Sequence, residues 1–257
     1  MNPDFQLTNR LLKEFGSLDD AKGRRRTGLF VAEGTKCVLE LMERFHARYV
    51  FATAEWHSGH AVEGDNVVTS TPGDLRRLTR LSATPPVIAF FEIPEPDNDL
   101  TPVGMHPGAS LRLMLDRVQD PGNLGTILRT CDWMGVRTVI ASRDTVDCFN
   151  PKVVQATMGG LARTRVIYTD LPEYLAALPE GTPVYGTFLD GENIYKSTLT
   201  EGGIVIMGNE GQGISDAVAK YVSRRLLIPP YNSDGAVESL NVAIATAVIL
   251  SQFRARL

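Results

Sequence analysis

The spacing of apolar residues divides the chain into two regions that both alternate helices with strands. In residues 1–93, apolar positions three and four apart predict helices, and short apolar runs predict strands. The predicted helices cover residues 7–15 and 36–45, and the predicted strands cover residues 29–33, 47–52 and 85–91. Ser17 is predicted to cap a further short helix that leads into residues 24–26. The pattern is typical of a small α/β domain.

Residues 110–257 show a stronger pattern, in which apolar strands and helices follow one another repeatedly. The predicted strands cover residues 111–115, 138–141, 184–189, 203–207 and 225–228, and the predicted helices cover residues 125–134 and 239–256. Gly135 is expected to end the first of these helices. Strands that are almost wholly apolar and are joined by helices indicate a mostly parallel sheet, buried on both faces.

The segment between the two regions, residues 94–109, is rich in proline and aspartate. Such a composition neither continues a helix nor pairs readily in a sheet, so it predicts a linker. We therefore expect an N-terminal domain over residues 1–93 and a C-terminal domain over residues 110–257.

Composition adds only broad limits to this picture. The 257 residues are 43% hydrophobic and 22% charged, which is typical of a soluble globular protein. The net charge of −4 does not by itself suggest a nucleic-acid partner, although a local basic patch is sufficient for one. The three cysteines are scattered, which predicts buried thiols rather than disulfides or a metal site. The N-terminal segment has no apolar core of signal-peptide length, and no apolar run approaches the ~20 residues of a membrane span, so we expect a cytoplasmic protein.

Candidate chemistry is expected in the loops after the strands, because parallel sheets bind ligands beyond the carboxyl ends of their strands. The first such loop, residues 116–129, contains Asn123 and Arg129. On spacing alone, Asn123 is a candidate helix cap and Arg129 a candidate solvated surface residue. A functional pair is the alternative interpretation.

Two further loops carry unusual polar residues. Residues 207–215 contain three glycines in the order G-x-x-G-x-G, which lets a ligand approach the backbone but is not the dinucleotide fingerprint. Glu210 in this loop would repel phosphate and would suit an arginine or a cationic ligand. In residues 228–241, Ser239 is a candidate helix cap, and Asn241 is predicted in the first helical turn. Asparagine is mildly unfavourable there, which slightly favours a functional role.

The order of these three motifs resembles the SpoU/TrmH family of RNA 2′-O-methyltransferases. The motifs are a strand followed by DPGN and a helix with Arg129, then GNEGQGIS, then IP and ESLNVA, and the resemblance covers residues 111–257. The segment with Lys22 and Arg24, followed by GLFVAEG, resembles the small substrate-binding domain of many family members. The resemblance implies homodimers and a C-terminal α/β sheet with a deep trefoil knot, which general threading rules do not predict.

The resemblance also implies the cofactor S-adenosylmethionine, which the knot loops of family members hold. The matching positions lie in three segments and are Thr187 and Leu189, then Met207, Gly208, Asn209 and Gly211, then Ile228 and Leu240. The loop over residues 230–237 is longer than in the shortest family members. We expect this difference to affect closure of the cofactor pocket or the dimer surface.

The implied reaction is methylation of a ribose 2′-hydroxyl in structured RNA, expected in 23S-type ribosomal RNA, with transfer RNA as the alternative. The implied catalytic residues are Asn123, Arg129, Glu210, Ser239 and Asn241. Because arginine is normally protonated, Arg129 either removes the hydroxyl proton with the help of an RNA phosphate or mainly binds that phosphate. Glu210 is expected to orient Arg129, and the remaining polar side chains are expected to position the ribose.

The basic residues of the N-terminal region are expected to contact RNA. The cluster consists of Lys22, Arg24, Arg25 and Arg26, and its alternative interpretation is a solvated helix end. Arg163 and Arg165 are expected to extend this path.

Two other classes of protein compete with this hypothesis. A nicotinamide-dependent oxidoreductase would need a glycine fingerprint where DPGN stands, and a non-catalytic RNA-binding assembly factor would need none of the catalytic residues. Binding of S-adenosylmethionine excludes the first, and product formation excludes the second.

Overall fold

A computed structural model of the chain describes residues 7–60, 62, 67–95, 111–232 and 239–255. Its contacts divide the chain into two compact units, Met1–Glu95 with Asp147–Ala162, and Pro96–Val146 with Arg163–Leu257. Most of the predicted linker (residues 96–109) and much of the long loop (residues 233–237) lie outside the described residues.

The described chain contains ten helices and ten strands. The helices are α1 (Asn9–Gly16), α2 (Ala21–Thr27), α3 (Thr35–Met42), α4 (Ala54–Gly59), α5 (Pro72–Leu78), α6 (Pro121–Trp133), α7 (Pro151–Thr157), α8 (Leu171–Ala176), α9 (Asp216–Ala219) and α10 (Val242–Arg254). The strands are β1 (Leu29–Glu33), β2 (Ala47–Ala52), β3 (Val67–Thr69), β4 (Val87–Glu92), β5 (Leu111–Leu115), β6 (Thr138–Ser142), β7 (Arg165–Thr169), β8 (Val184–Asn193), β9 (Gly203–Met207) and β10 (Arg224–Leu227).

Three predicted helix starts are wrong, and for two of them a capping side chain explains the observed start. Ser17 opens a short 3-10 turn, and α2 begins after Asp20. Helix α6 begins before Asn123, because the Asp120 carboxylate accepts a hydrogen bond from the Asn123 N–H and Pro121 takes the first helical position. Helix α10 begins after Asn241, whose side chain caps it, rather than at Ser239.

The first unit is a four-stranded sheet with a core on each face. The strand order is β1-β4-β2-β3, antiparallel except between β2 and β3. One face packs Leu29 and Val31 against α1 and α5. Side chains alternate along a strand, so Phe30 faces the other way. There its ring lies 4.8 Å from that of Phe149, which explains why residues 147–162 pack with this unit.

The second unit is a six-stranded sheet in the order β10-β8-β9-β5-β6-β7, with every neighbouring pair parallel. The predicted α/β class with a mostly parallel sheet is confirmed. Val184 packs with α8 and α9 on one face, and Tyr185 meets Phe253 of α10 on the other, with ring centroids 5.0 Å apart. Helices α6 and α10 pack on each other, and Arg254 donates hydrogen bonds to the carbonyl oxygens of Met134 and Gly135, directly after α6.

The order of strands in this sheet determines where a ligand can bind. From β5 the chain continues outward through β6 and β7, and it then returns to the opposite side of β5 to form β8 and β9. A crevice opens at such a reversal, beyond the carboxyl ends of the strands. The loops after β5 and β9 both lie at that edge.

The cysteines behave as predicted. Cys37, Cys131 and Cys148 are all free and buried. Burial raises the pKa of the Cys37 thiol to about 12 and also raises the pKa of Cys131, so neither forms a reactive thiolate near neutral pH. Across the described ranges, no helix has the length and apolar character required to span a membrane.

Candidate active site

A buried carboxylate joins the loop after β5 to the loop after β9. Asp116 is 2% exposed, and its Oδ2 accepts a hydrogen bond of 2.7 Å from the Ser215 N–H. Its own N–H donates to the Met207 carbonyl oxygen at 2.9 Å. A buried carboxylate requires such donors, because desolvation of an unpaired charge is costly. Asp116 therefore holds the first two candidate loops together.

The next residue, Arg117, has a left-handed backbone with φ of 60°, which is uncommon for a residue with a side chain. Its N–H donates to Ser142 Oγ at 2.9 Å, and its carbonyl oxygen accepts from Asn209 Nδ2 at 2.8 Å. Its guanidinium donates to Asp116 Oδ1 at 3.2 Å and to Gln212 Oε1 at 2.9 Å. These four bonds maintain the unfavourable conformation, a combination that is typical of functional sites.

The glycine-rich loop is a tight turn closed by its own backbone. Asn209 and Gly213 exchange backbone hydrogen bonds of 3.0 and 2.9 Å, and Asn209 Oδ1 accepts from the N–H groups of Gly211 and Gln212, both at 3.0 Å. A Cβ at Gly208 would lie 2.2 Å from the carbonyl carbon of Gly213. Only glycine therefore fits at position 208.

A chain of side-chain hydrogen bonds connects all three sequence motifs. Asn241 Nδ2 donates to Asn123 Oδ1 at 2.8 Å, and Asn123 Nδ2 donates to Glu210 Oε1 at 2.9 Å. Asn241 Oδ1 accepts from the N–H groups of Ala243 and Ile244, which caps α10. Asn123, Glu210 and Asn241 are therefore brought together, as members of one site must be.

The groups at the two ends of this series of hydrogen bonds define its direction. An ionised carboxylate only accepts hydrogen bonds, so the Asn123 amide must present its NH₂ group to Glu210 and its oxygen to Asn241. The backbone N–H groups of α10 only donate, so Asn241 must present its oxygen to them and its NH₂ group to Asn123. The two ends of the series therefore require the same amide orientations, which fixes the direction of every hydrogen bond in the Asn241–Asn123–Glu210 relay.

Arg129 lies on α6 with its side chain exposed, and it makes no hydrogen bond or ion pair within the part of the chain that the structure describes. The expected contact between Glu210 and Arg129 is not formed, since the Glu210 carboxylate accepts from Asn123 instead. Ser239 is also exposed and lies two residues before Asn241. The site thus combines a hydrogen-bonded polar relay with an unpaired cation on the same helix as Asn123.

The eight predicted cofactor residues fall into three groups along the carboxyl edge of the sheet. Met207 and Gly208 are buried at the end of β9, while Asn209 and Gly211 form the turn that follows. Thr187 Oγ1 donates to the Ile206 carbonyl oxygen at 3.3 Å, so β8 lies beside this turn. Two apolar members are exposed, Leu189 at 74% and Leu240 at 47%. Ile228 is half-buried at the end of β10.

The predicted RNA-binding cluster contains one error. Arg24 is 2% exposed, its guanidinium contacts Asp147 at 2.7 Å, and it donates to the backbone carbonyls of Leu18 and Asp19. A guanidinium that is buried and paired in this way is not available to a phosphate. Lys22, Arg25 and Arg26 are exposed and remain candidates.

Arg163, which we expected to extend the RNA path, pairs with Asp132. Its Nε and Nη2 donate to the two carboxylate oxygens over 2.9 to 3.1 Å.

Sequence reasoning missed several residues that shape the site. Asp116 and Asp120 carried readable signals, because one follows a buried strand directly and the other precedes proline at a helix start. Arg117 and Gln212 carried none, because their importance depends on a positive φ and on contacts between distant loops.

Comparison with known proteins agrees with this geometry. Residues 110–251 match the SpoU rRNA Methylase family, and residues 9–89 match the MRM3-like substrate binding domain. The chain therefore belongs to the SpoU rRNA methylase family, and the resemblance inferred from the three motifs is confirmed. The 23S rRNA (guanosine(2553)-2′-O)-methyltransferase RlmP of Bacillus subtilis is 39% identical over 144 residues. That match covers 55% of this chain and 57% of the relative, little more than half of either protein.

Solved structures extend the similarity to nearly the whole chain. The structure of an RNA methyltransferase assigned to the TrmH family, from Porphyromonas gingivalis, is 39% identical with a TM-score of 0.87. It covers 98% of this chain and 100% of its own. The AdoMet-bound rRNA methyltransferase of Sinorhizobium meliloti is 29% identical with a TM-score of 0.83, over 98% of this chain and 97% of its own.

Proposed function

We propose that this protein transfers a methyl group from S-adenosylmethionine to a ribose 2′-hydroxyl in large-subunit ribosomal RNA. The observation that carries the proposal is the Asn241–Asn123–Glu210 relay, which joins three distant motifs at the carboxyl edge of the sheet. A functional site, rather than a helix cap alone, explains why the Asn123 amide is held from both sides. The exposed Arg129 on the same helix supplies a cation for the substrate.

The residues at this edge fit S-adenosylmethionine. Exposed Leu189 and Leu240 offer apolar surface of the kind that covers a purine ring, and the Glu210 carboxylate complements a cationic ligand. The turn leaves its backbone accessible, since a Cβ at Gly213 would meet nothing within 4 Å. When bound, the cofactor supplies a methyl group on a positively charged sulfur. We assign its contacts to Thr187, Leu189, Met207, Gly208, Asn209, Gly211, Ile228 and Leu240.

The protein side chains then have to orient and activate a poor nucleophile. A neutral ribose hydroxyl gains negative charge as it attacks, and a fixed cation beside it stabilises that charge. Arg129 provides the cation, and it contacts either the phosphate of the target nucleotide or the hydroxyl itself. The relay keeps Asn123 in place, and Ser239 lies beside the relay as a further ribose contact.

Large-subunit ribosomal RNA is the proposed substrate because the Bacillus subtilis and Sinorhizobium meliloti relatives are named as rRNA methyltransferases. Transfer RNA is the alternative. In this proposal the N-terminal domain over residues 1–93 binds RNA, the domain over residues 110–257 carries the knot expected of its family, and the enzyme acts in the cytoplasm. A non-catalytic RNA-binding role is the outcome if no methyl transfer occurs.

The test is methyl transfer from radiolabelled S-adenosylmethionine into total RNA that lacks the modification. We expect label in large ribosomal RNA that survives alkaline hydrolysis as a dinucleotide, because a 2′-O-methyl group blocks cleavage of the adjacent phosphodiester. Label confined to transfer RNA would select the alternative substrate. Measurable cofactor binding without labelled product, in RNA from intact and partly assembled subunits, would contradict the enzymatic proposal.

RNA binding through the exposed basic residues predicts a change in salt dependence. Replacing Lys22, Arg25 and Arg26 by glutamine is expected to raise the KM for RNA and to lower the slope of log affinity against log salt by about 0.7–0.9 per lost phosphate contact. Filter binding at several salt concentrations measures both. Arg48→Gln, which removes an exposed charge of the same unit, is the control. An unchanged slope in the triple variant would place the RNA elsewhere.

We also propose that the protein is a homodimer that associates through α6 and α10. These paired helices expose two large apolar side chains, Trp133 at 87% and Ile244 at 53%, and exposed apolar surface of this kind commonly marks an interface. Trp133→Glu is expected to shift sedimentation velocity from dimer to monomer at micromolar concentration. Tyr195→Glu, at a residue 41% exposed, should leave the dimer intact. A wild-type protein that sediments as a monomer would refute the proposal.

A further inference from the structure

Residues 187–191 of strand β8 form an excursion, a segment that pairs with neither β9 nor β10. The register with β10 pairs Arg225 with Gly186 and then Leu226 with Glu192, so residues 187–191 are skipped. The register with β9 ends at Gly186. The excursion returns at Gly191, where a Cβ would lie 2.5 Å from the backbone of Leu226. This segment includes Thr187 and Leu189, two of the proposed cofactor contacts.

The guanidinium of Arg225 contacts the residues on both sides of Leu189. Arg225 Cζ lies 3.6 Å from the centroid of the Phe188 ring, which is a close cation–π contact. Its Nη2 and Nε donate to Asp190 Oδ1 at 2.6 and 3.1 Å. The Phe188 ring also packs against the core beneath α8 and α9. Arg225 therefore ties the excursion to a fixed part of the fold.

The alternation of side chains along β8 explains how these contacts of Arg225 orient Leu189. In extended backbone, residues two apart lie on the same side and adjacent residues lie on opposite sides. Phe188 and Asp190 thus share the side held by Arg225, and Thr187 and Leu189 share the other. Leu189 is accordingly 74% exposed.

We propose that Arg225 is a positioning residue for the cofactor site, which presents Thr187 and Leu189 to S-adenosylmethionine by stacking on Phe188 and pairing with Asp190. The inference rests on the proposed function, since it assigns Leu189 to that cofactor. It adds a residue outside the three motifs, on the neighbouring strand, that does not itself touch the cofactor.

The charge state of the pair is maintained at neutral pH. The hydrogen bond from Arg225 lowers the pKa of the Asp190 carboxyl below its ordinary value, so the carboxylate is ionised at neutral pH. A planar guanidinium is required for the stack, which a lysine ammonium cannot reproduce in the same way. Lysine at position 225 should therefore retain the ion pair and lose part of the stacking.

The neighbouring Arg224 provides a matched control. It lies on the same strand, it pairs with Glu192 at 2.9 Å, and its guanidinium stands 5.7 Å from the Tyr185 ring. These contacts lie at the base of the excursion and do not hold Phe188 or Asp190. Removal of Arg224 therefore subtracts a similar charge and ion pair without releasing Leu189.

The experiment measures the Kd for S-adenosylmethionine by calorimetry, together with KM and kcat on RNA. Arg225→Ala is expected to raise both Kd and KM for the cofactor about fivefold, equal to about 1 kcal/mol. Its kcat at saturating cofactor should match the wild type, because the reacting groups are untouched. Arg225→Lys should give Kd and KM values between those of the wild type and Arg225→Ala. Arg224→Ala should bind the cofactor like the wild type.

Stability is measured in parallel, and a change of Tm in Arg225→Ala within about 2 °C is expected, since both partners are at the surface. Wild-type cofactor affinity in Arg225→Ala would overturn the inference. An equal loss in Arg224→Ala would also overturn it, because any exposed ion pair on β10 would then have the same effect. Failure of the wild type to bind S-adenosylmethionine would instead refute the proposed function.

Discussion

Replacing Arg129 by alanine is expected to lower kcat on RNA by about 10²- to 10³-fold, the loss typical when a group that stabilises transition-state charge is removed. Affinity for S-adenosylmethionine should stay within about twofold of the wild type, less than 0.5 kcal/mol. The two effects separate because Arg129 lies on α6, whereas the proposed cofactor contacts lie in β8, β9 and the segments around residues 228 and 240.

The environment of the Arg129 side chain separates a loss of activity from a loss of stability. Arg129 is exposed and unpaired within the described chain, so its removal leaves no buried partner and should hardly change stability. Loss of activity therefore reports on chemistry rather than on folding. Steady-state methyl transfer at saturating RNA and cofactor measures kcat, and calorimetry measures cofactor binding.

Arg129→Lys distinguishes the two possible roles of the cation. If Arg129 binds a phosphate, the lysine variant should have a KM for RNA close to that of the wild type and a measurable part of its kcat, because an ammonium also binds phosphate. If Arg129 removes the hydroxyl proton, the activity of the lysine variant should rise steeply with pH as the amine loses its proton. Activity near the wild-type level in Arg129→Ala would exclude Arg129 from the mechanism altogether.

Replacing Asp147 by asparagine is expected to destabilise the first unit by about 3 kcal/mol, because it leaves a buried charge without its partner. Arg24 is 2% exposed, and arginine cannot lose its proton to escape the penalty. Asparagine keeps the shape of the side chain and can still accept the bond that Asp147 Oδ1 receives from the Phe149 N–H. The substitution thus removes the charge and little else.

Tryptophan fluorescence can follow this unit alone. The chain has two tryptophans, and Trp133→Phe leaves only Trp56, which is buried in the first unit. Urea unfolding in that background should show the lower midpoint for Asp147→Asn. Glu92→Gln, which breaks the exposed pair of Arg48 and Glu92 at 3.9 Å, should cost less than about 1 kcal/mol. Equal losses in the two variants would show that burial of Arg24 does not govern its contribution.

The sequence alone determined most of the strands and the class of the fold. The observed bounds of β1, β2, β5 and β9 are those predicted, because each is an apolar run with clear breaks at its ends. Several short elements were not predicted, among them α4, β3, α7 and α8, since one or two turns carry too little periodicity to be distinguished from loops. The three motifs, with their order and spacing, also identified the family correctly.

Tertiary structure decided which polar residues act together. Lys22, Arg24, Arg25 and Arg26 look alike as neighbours in the sequence, and only packing shows that Arg24 is buried against Asp147, 123 residues away. The relay joins Asn123 to Glu210 across 87 residues and to Asn241 across 118. Local patterns cannot encode such contacts, because a hydrogen bond depends on positions that the whole sheet creates. The sequence thus supplied the candidate groups, and the fold determined which of them are buried, paired or left exposed.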